Sequence, residues 1–335
     1  MNIIIPMAGM GKRMRPHTLT TPKPLIPIAG KPIVQRLVEE IVDITEQKIN
    51  EIAFIISPNF GKEVEENLLQ IAADLGSKGV ICYQHTAEGT AHAVYSAKEQ
   101  LDGEVIVGFA DTLFKADFKI NNDADGVIWV QRVEDPSAFG VVKLDDDGVI
   151  TDFIEKPETF VSDLAIIGIY YFKDGAALRK EIEHLLDNDI REKGEYQLTN
   201  ALENLKQKGT QFRPGEVTEW MDCGNKNATV HTNSRILALT ENEDFISGNI
   251  EKDNSEIIEP CYIGPNVVLK NAKVGPYVSI GAHSVIENTE LDNSIVQKHV
   301  TIKNAKLTNS MVGNHARYDG RSNQVSISDY STQED

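Results

Sequence analysis

Short runs of β-branched and aromatic residues alternate with segments of helical period through the first part of the chain. Asn2–Pro6 (NIIIP), Glu51–Ser57 (EIAFIIS), Val80–Gln84 and Glu104–Phe109 read as buried strands. Between them, Pro32 opens a helix with an apolar stripe of Ile33, Val34, Leu37, Val38 and Ile41, and amphipathic helices follow at about 62–75 and 90–100. The alternation predicts an α/β fold with a doubly wound, mostly parallel, Rossmann-like sheet, whose ligands bind at the carboxyl ends of the strands. The turn Ala8-Gly9-Met10-Gly11, Gln84 and Asp111 all fall at such ends.

From Gly126 to Phe172 the apolar runs crowd together (GVIWVQRV, FGVVKL, GVITDFIEK, AIIGIYYF), which predicts an antiparallel, mixed section over the ligand side. Asp174 caps a helix to about Asp187, a second helix covers Glu195 to Gln207, Val217 to Met221 is a short strand ending in Asp222, and a helix from Asn225 to Leu239 closes a domain of residues 1–239. Residues 240–256 hold six acids against one lysine and read as an acidic linker. Beyond it Ile263, Leu269, Val274, Ile280, Ile286 and Leu291 recur every five or six residues, and Ile263-Gly264-Pro265 is echoed by Val274-Gly275-Pro276. One aliphatic residue per hexapeptide puts each at the same corner of a triangular coil, so residues 257–320 are expected to form a short left-handed parallel β-helix of roughly three coils. Residues 321–335 form a polar tail.

Charge changes the picture at the start of the chain. The net charge is −18, with 51 acids among 335 residues. Evenly spread, about five would fall in residues 1–31, yet that stretch has none and carries Lys12, Arg13, Arg15, Lys23 and Lys31. An anionic ligand explains such an island. The acidic balance elsewhere argues against nucleic acid or an anionic membrane as partner, and no apolar stretch is long enough to span a bilayer. Cys82, Cys223 and Cys261 are widely separated and show no metal spacing, so a reducing, cytoplasmic location is the default expectation.

Free amides in a glycine turn bind phosphate oxygens, and several cations can balance a triphosphate. Two commoner glycine motifs are excluded: a P-loop needs glycine where Pro6 stands and Ser or Thr where Arg13 stands, and a dinucleotide fingerprint needs a third glycine where Met14 stands.

The run AGMGKRMRPHTLTTPKPLIPIAGKPI closely resembles the G-x-G-x-R and P-K signature of sugar-1-phosphate nucleotidyltransferases, particularly the glucose-1-phosphate thymidylyltransferase and uridylyltransferase group. The resemblance continues in order through Gln84, Gly89-Thr90-Ala91, Asp111, Phe139-Gly140-Val141-Val142, Glu155-Lys156-Pro157, Gly194-Glu195-Tyr196-Gln197-Leu198-Thr199 and Trp220-Met221-Asp222-Cys223-Gly224. It covers about residues 1–239, and a hexapeptide tail is a frequent companion in the longer members.

The resemblance implies that a sugar phosphate oxygen attacks the α-phosphorus of a nucleoside triphosphate (dTTP or UTP) and pyrophosphate leaves, by positioning and charge neutralisation without a covalent nucleophile. It further implies that Asp111 and Asp222 hold Mg²⁺, that Arg13 binds the departing phosphates and Lys23 the α-phosphate, and that Ala8, Gly9, Gly11 and Lys12 line the triphosphate. Gln84, Gly89 and Thr90 would meet a pyrimidine, while Gly140, Glu155, Lys156 and Lys193 would bind the sugar 1-phosphate. Ala87 and Gly89-Thr90-Ala91 depart from the usual thymidylyltransferase pattern toward that of uridylyltransferases, Asp163 stands where Asn is usual, and Lys193 where Arg is common. A homo-oligomer formed through the β-helix is expected, because its coil edges are open. Two other functions are consistent with the sequence: a non-catalytic regulatory or assembly subunit that binds nucleotide-sugar, and a bifunctional N-acetylglucosamine-1-phosphate uridylyltransferase and acetyltransferase.

Overall fold

The central strand, Asn2–Pro6, is buried on both faces, with Ile3, Ile4 and Ile5 fully enclosed, as a continuous aliphatic run in a parallel sheet requires. A computed structural model of the chain describes residues 1–45, 47–116, 124–240, 245–322, 324 and 329–333. Within them the chain divides into two compact units, residues 1–9 with 37–220 and residues 10–36 with 221–335.

The first unit is built on a nine-stranded sheet. Its spine runs Ile150–Glu155, Gly140–Leu144, Leu164–Phe172, Val105–Gly108, Asn2–Pro6, Glu51–Ile56 and Lys78–Tyr83. The last four are parallel neighbours in the order of a doubly wound sheet, with the first strand between its second and fourth companions. Strand order reverses beside Asn2–Pro6, so Met7–Gly9 and Phe109–Asp111 leave the sheet together at the switch point, and Ala110 N–H reaches the Pro6 carbonyl at 3.4 Å.

Leu164–Phe172 joins this half to the antiparallel section. It pairs with Val105–Gly108 on one side and with Gly126–Arg132 and Gly140–Leu144 elsewhere along its length, with a register shift between Ile166 and Tyr170 around the left-handed Gly168. Phe212–Glu216, absent from the sequence reading, adds in parallel to Gly126–Arg132. Its Pro214 argues against a central strand but is compatible with this edge position.

Helices α1 (Ile33–Asp43), α2 (Lys62–Asp74), α3 (Thr90–Tyr95), α4 (Gly175–Asp187), α5 (Leu198–Gln207) and α6 (Lys226–Leu239) follow the predicted pattern with local differences. Pro32 precedes α1 and pairs with Pro27 in a two-residue ladder. Helix α3 ends at Tyr95, and residues 195–197 lie outside α5: the Glu195 backbone pairs with Glu192, and that of Tyr196 bonds to Glu88 and Ala91.

In the second unit, the hexapeptide positions stack as expected. Glu251–Asp253, Val268–Lys270, Val285–Glu287, Thr301–Lys303 and Arg317–Asp319 form one parallel face, and two four-stranded faces complete the left-handed β-helix. Ile263, Leu269, Val274, Ile280, Ile286 and Leu291 fill its interior. One face thus has five strands where the repeats suggested roughly three coils, and the first of them, Glu251–Asp253, lies in the stretch read as linker from its charge. Glu241, Glu243 and Asp244 lie outside the described residues, as does much of the polar tail.

One corner is a ladder of left-handed asparagines, Asn254, Asn271, Asn288 and Asn304, each side-chain amide donating to the next at 2.7–3.2 Å. Short polar side chains tolerate this conformation and here convert it into a continuous hydrogen-bonded row. No helix among the described residues is long and apolar enough to cross a membrane.

Candidate active site

In the first unit, the expected base-binding and sugar-binding residues occupy two neighbouring assemblies. Gln84 continues its strand, donating its N–H to Ile56 O at 2.9 Å, and its side-chain amide meets His92 Nδ1 at 3.3 Å. Gly89 has φ 120°, and a Cβ there would stand 2.4 Å from the Tyr196 carbonyl oxygen. The close approach lets Ala91 N–H donate to Tyr196 O at 2.9 Å and Tyr196 N–H to Glu88 O at 2.8 Å. Thr90 fastens the same junction: its hydroxyl accepts Leu198 N–H at 2.8 Å and donates to Gln197 Oε1 at 3.3 Å.

The second assembly surrounds Glu155. Its Oε2 accepts from the Thr199 hydroxyl at 3.5 Å and would stand 3.1 Å from a Cβ on Gly140, so a side chain there would press on the carboxylate. Lys156 Nζ lies 3.5 Å from Glu155 Oε1, and the Lys193 ammonium donates to the carbonyls of Glu155 at 3.3 Å and Lys156 at 2.8 Å. Lys156 (φ 43°) and Lys193 (φ 52°) both adopt the left-handed conformation. Such backbone costs of order 1 kcal/mol per non-glycine residue and gathers at functional sites. A surface pair like Glu155–Lys156 adds little stability.

Asp111 is half-buried at the switch point of the sheet. Nearby, the buried phenol of Tyr170 has its pKa pushed upward chiefly by burial and then by the Glu155 and Asp111 carboxylates. Beyond Asp111, Trp220 Nε1 donates to Thr112 Oγ1 at 2.5 Å and its ring meets Phe139 edge-on at 5.1 Å. Ala8 and Gly9 follow the first strand of this unit, and Gly9 has open space where a Cβ would be.

The cations of the opening segment belong to the second unit. Gly11 (φ 56°) starts the turn Lys12–Met14, and its carbonyl accepts from the Thr18 hydroxyl at 2.8 Å. A Cβ on Gly11 would stand 3.0 Å from Lys23 Cβ, so the chain folds back to place Lys23 against the glycine turn. Asp222 Oδ1 accepts Gly224 N–H at 2.8 Å, and a Cβ on Gly224 would meet this carboxylate at 2.9 Å and the Arg13 guanidinium at 3.3 Å. Gly11, Arg13, Lys23, Asp222 and Gly224 therefore form one cluster, and Lys12 is exposed beside it. Asn225 then caps α6, accepting Ala228 N–H at 3.0 Å.

Residues 2–238 match the nucleotidyl transferase family. The chain belongs to that family, among the sugar-1-phosphate nucleotidyltransferases. It is 33% identical to the bifunctional protein GlmU of Methanocaldococcus jannaschii, over 98% of this chain and 84% of that protein. It is 30% identical to the low-salt glycan biosynthesis nucleotidyltransferase Agl11 of Haloferax volcanii, over 86% and 85%. A glucose-1-phosphate thymidylyltransferase of Streptomyces antibioticus is 27% identical over 88% of this chain and 87% of its own. Among solved structures, a nucleoside-diphosphate-sugar pyrophosphorylase from Vibrio cholerae (TM-score 0.60, 22% identity, 69% of this chain and 99% of that one) and a UDP-glucose pyrophosphorylase in complex with UDP-glucose (0.58, 21%, 71% and 99%) share the fold.

This nucleotidyltransferase also uses residues that no motif singled out. The His92 ring meets the Gln84 amide, and the Tyr170 phenol is raised in pKa chiefly by burial. Arg191 holds the Tyr196 junction, with 2.8 Å to Glu88, 2.7 Å to Asp189, and its guanidinium 4.0 Å from the Tyr196 ring centre. The departure at Asp163 has a local partner: both carboxylate oxygens accept from a single guanidinium nitrogen of Arg132 at 2.8 Å, an ion pair that asparagine cannot make. His92 and Arg191 lacked a sequence signal because their roles depend on neighbours in space.

Proposed function

We propose that the chain joins the nucleoside monophosphate of dTTP or UTP to a sugar 1-phosphate, glucose 1-phosphate first, releasing pyrophosphate and forming a dTDP- or UDP-sugar. The observation that carries this reading is the Glu155, Lys156, Lys193 and Gly140 assembly: a carboxylate and a glycine backbone able to bind hydroxyls stand beside two strained, exposed cations suited to a phosphate. Gln84 and the Gly89–Thr90 junction supply amide and backbone groups for a pyrimidine edge. Arg13, Lys23 and the turn amides at Gly11 supply the charge for a triphosphate.

The proposed holders of Mg²⁺ are Asp111 and Asp222. Their hard carboxylate oxygens suit that ion, which is commonly held by one or two carboxylates with water and substrate phosphate. Bound there, the ion would neutralise charge developing on the phosphates. The protein's own part is to bind the two substrates: Lys23 and Arg13 hold the triphosphate, and Lys156 and Lys193 hold the attacking phosphate.

A pyrophosphate-release panel in Mg²⁺, with dTTP, UTP, ATP, CTP and GTP against glucose, N-acetylglucosamine, galactose and mannose 1-phosphates, tests the reading; no release from any pair would defeat it. A second reading, acetyl transfer on the β-helix, is favoured by the 33% identity that runs through 98% of this chain to a protein described as bifunctional. Thiol release from acetyl-CoA with glucosamine 1-phosphate would reveal it. The β-helix is also proposed to join copies of the chain, and light scattering that finds a monomer at micromolar concentration would overturn this. The reaction needs only soluble substrates, consistent with a cytoplasmic enzyme.

A further inference from the structure

Residues 10–36 bear the Gly11 turn, Arg13 and Lys23, and they share a compact unit with α6 and the β-helix. One anchor of this segment is the Ala29–Gly30 turn, which joins Pro27–Ile28 to Lys31–Pro32 with both residues left-handed. Ala29 N–H donates to Asn233 Oδ1 at 3.0 Å, and the same oxygen accepts the Ser279 hydroxyl of the β-helix at 2.7 Å. The other end of the amide, Asn233 Nδ2, reaches Tyr277 O at 3.4 Å. The Tyr262 ring covers Gly30 so closely that a Cβ there would come within 2.2 Å of it. Arg36 closes the inner side, donating to the carbonyls of Ile28 and Ala29 at 2.7 Å each.

Asn233 is fully enclosed within α6. Asparagine is a poor helix former, and a buried amide costs stability unless bonded, so an apolar residue would serve the helix better. What the amide supplies is a joint between three separate segments: the cation-bearing loop, α6 and the β-helix.

We infer that Asn233, with Ser279 and Tyr262, is a positioning device for nucleotide binding, by which the β-helix sets the pose of Arg13 and Lys23. The inference rests on the triphosphate role proposed above for those two cations. Its consequence is asymmetric, because Gly140, Glu155, Lys156 and Lys193 belong to the other unit: disturbing the joint acts on the nucleotide and spares the sugar phosphate.

The test is pyrophosphate release by the full chain, varying each substrate in turn, for Asn233→Ala, Ser279→Ala and Asn233→Asp. Asn233→Ala leaves the Ala29 N–H and the Ser279 hydroxyl without this partner and loosens the turn, so it is expected to lower kcat/KM for the nucleotide about tenfold or more. KM for the sugar phosphate stays close to wild type. Ser279→Ala has a smaller effect in the same direction, and Asn233→Asp restores most of the loss because a carboxyl oxygen still accepts from Ala29 and Ser279. Calorimetric titration with dTTP or UTP reads nucleotide affinity without turnover, so wild type that binds nucleotide yet releases no pyrophosphate would defeat the functional reading while the joint is still measured by affinity. An Asn233→Ala protein that melts earlier but keeps wild-type nucleotide KM and affinity overturns the inference, as does an equal rise in KM for both substrates.

Discussion

Gly89→Ala is the sharpest perturbation of the proposed base pocket. With φ at 120°, the added methyl would lie 2.4 Å from Tyr196 O, 2.6 Å from its N and 2.9 Å from its carbonyl carbon. These are backbone atoms locked by the Ala91–Tyr196 and Tyr196–Glu88 hydrogen bonds, so relief requires opening both. Two such bonds are worth about 1 kcal/mol each, and the unfavourable backbone conformation costs about 1–3 kcal/mol, giving a loss of roughly 3–5 kcal/mol. At about 2–4 °C per kcal/mol for a unit of this size, melting should fall by roughly 10 °C. Moving Thr90 away from Gln197 and Leu198 also displaces the loop that follows Gln84, so nucleotide KM should rise about tenfold. Calorimetry and pyrophosphate release with varied nucleotide measure the two effects. A variant with wild-type melting and wild-type nucleotide KM would refute the argument that this close approach shapes the pocket.

Asp111→Ala should abolish most turnover in Mg²⁺, by about a hundredfold or more in kcat, with little change in melting temperature; undiminished kcat would remove Asp111 from the metal site. Lys156→Ala should raise KM for the sugar phosphate about tenfold through the loss of one charge-assisted bond while leaving nucleotide KM unchanged, read by the same assay. Burial, and secondarily the Lys226 ammonium, lower the pKa of His17 below 6.5. The unfolded chain therefore takes up this proton first, and the stability His17 contributes is present above about pH 6.5 and lost as pH falls toward the folded value. His17→Gln should flatten the denaturation midpoint across that window, and an unchanged acid slope would count against the assignment. Leu269→Ala should destabilise the β-helix by about 2–5 kcal/mol, measured by denaturant unfolding, because Leu269 is fully enclosed in its interior.

The doubly wound half was legible because strands covered on both faces must be apolar throughout, as Ile3–Ile5 and Ile52–Ile56 are. The β-helix was legible from its repeat, yet its first strand was hidden because Glu251, Lys252 and Asp253 are all exposed and carry charges rather than the aliphatic signal. Phe212–Glu216 was masked by Arg213 and Pro214, tolerated on a strand that pairs along one side. For the candidate site, the glycines announced the close approaches at positions 11, 89, 140 and 224, but not what they approach.

The sequence by itself determined the family, the strand–helix alternation, the hexapeptide repeat and the identity of the cations and carboxylates, since these depend on residue type and spacing along one chain. Tertiary structure decided which of them share a body. Spacing places Arg13 and Lys23 with the first strand, whereas packing puts them with Asp222, α6 and the β-helix. The physical reason is that Asn233, Ser279 and Tyr262 grip the Ala29–Gly30 turn through hydrogen bonds and close contact between residues more than two hundred positions apart, a relation that no local pattern records.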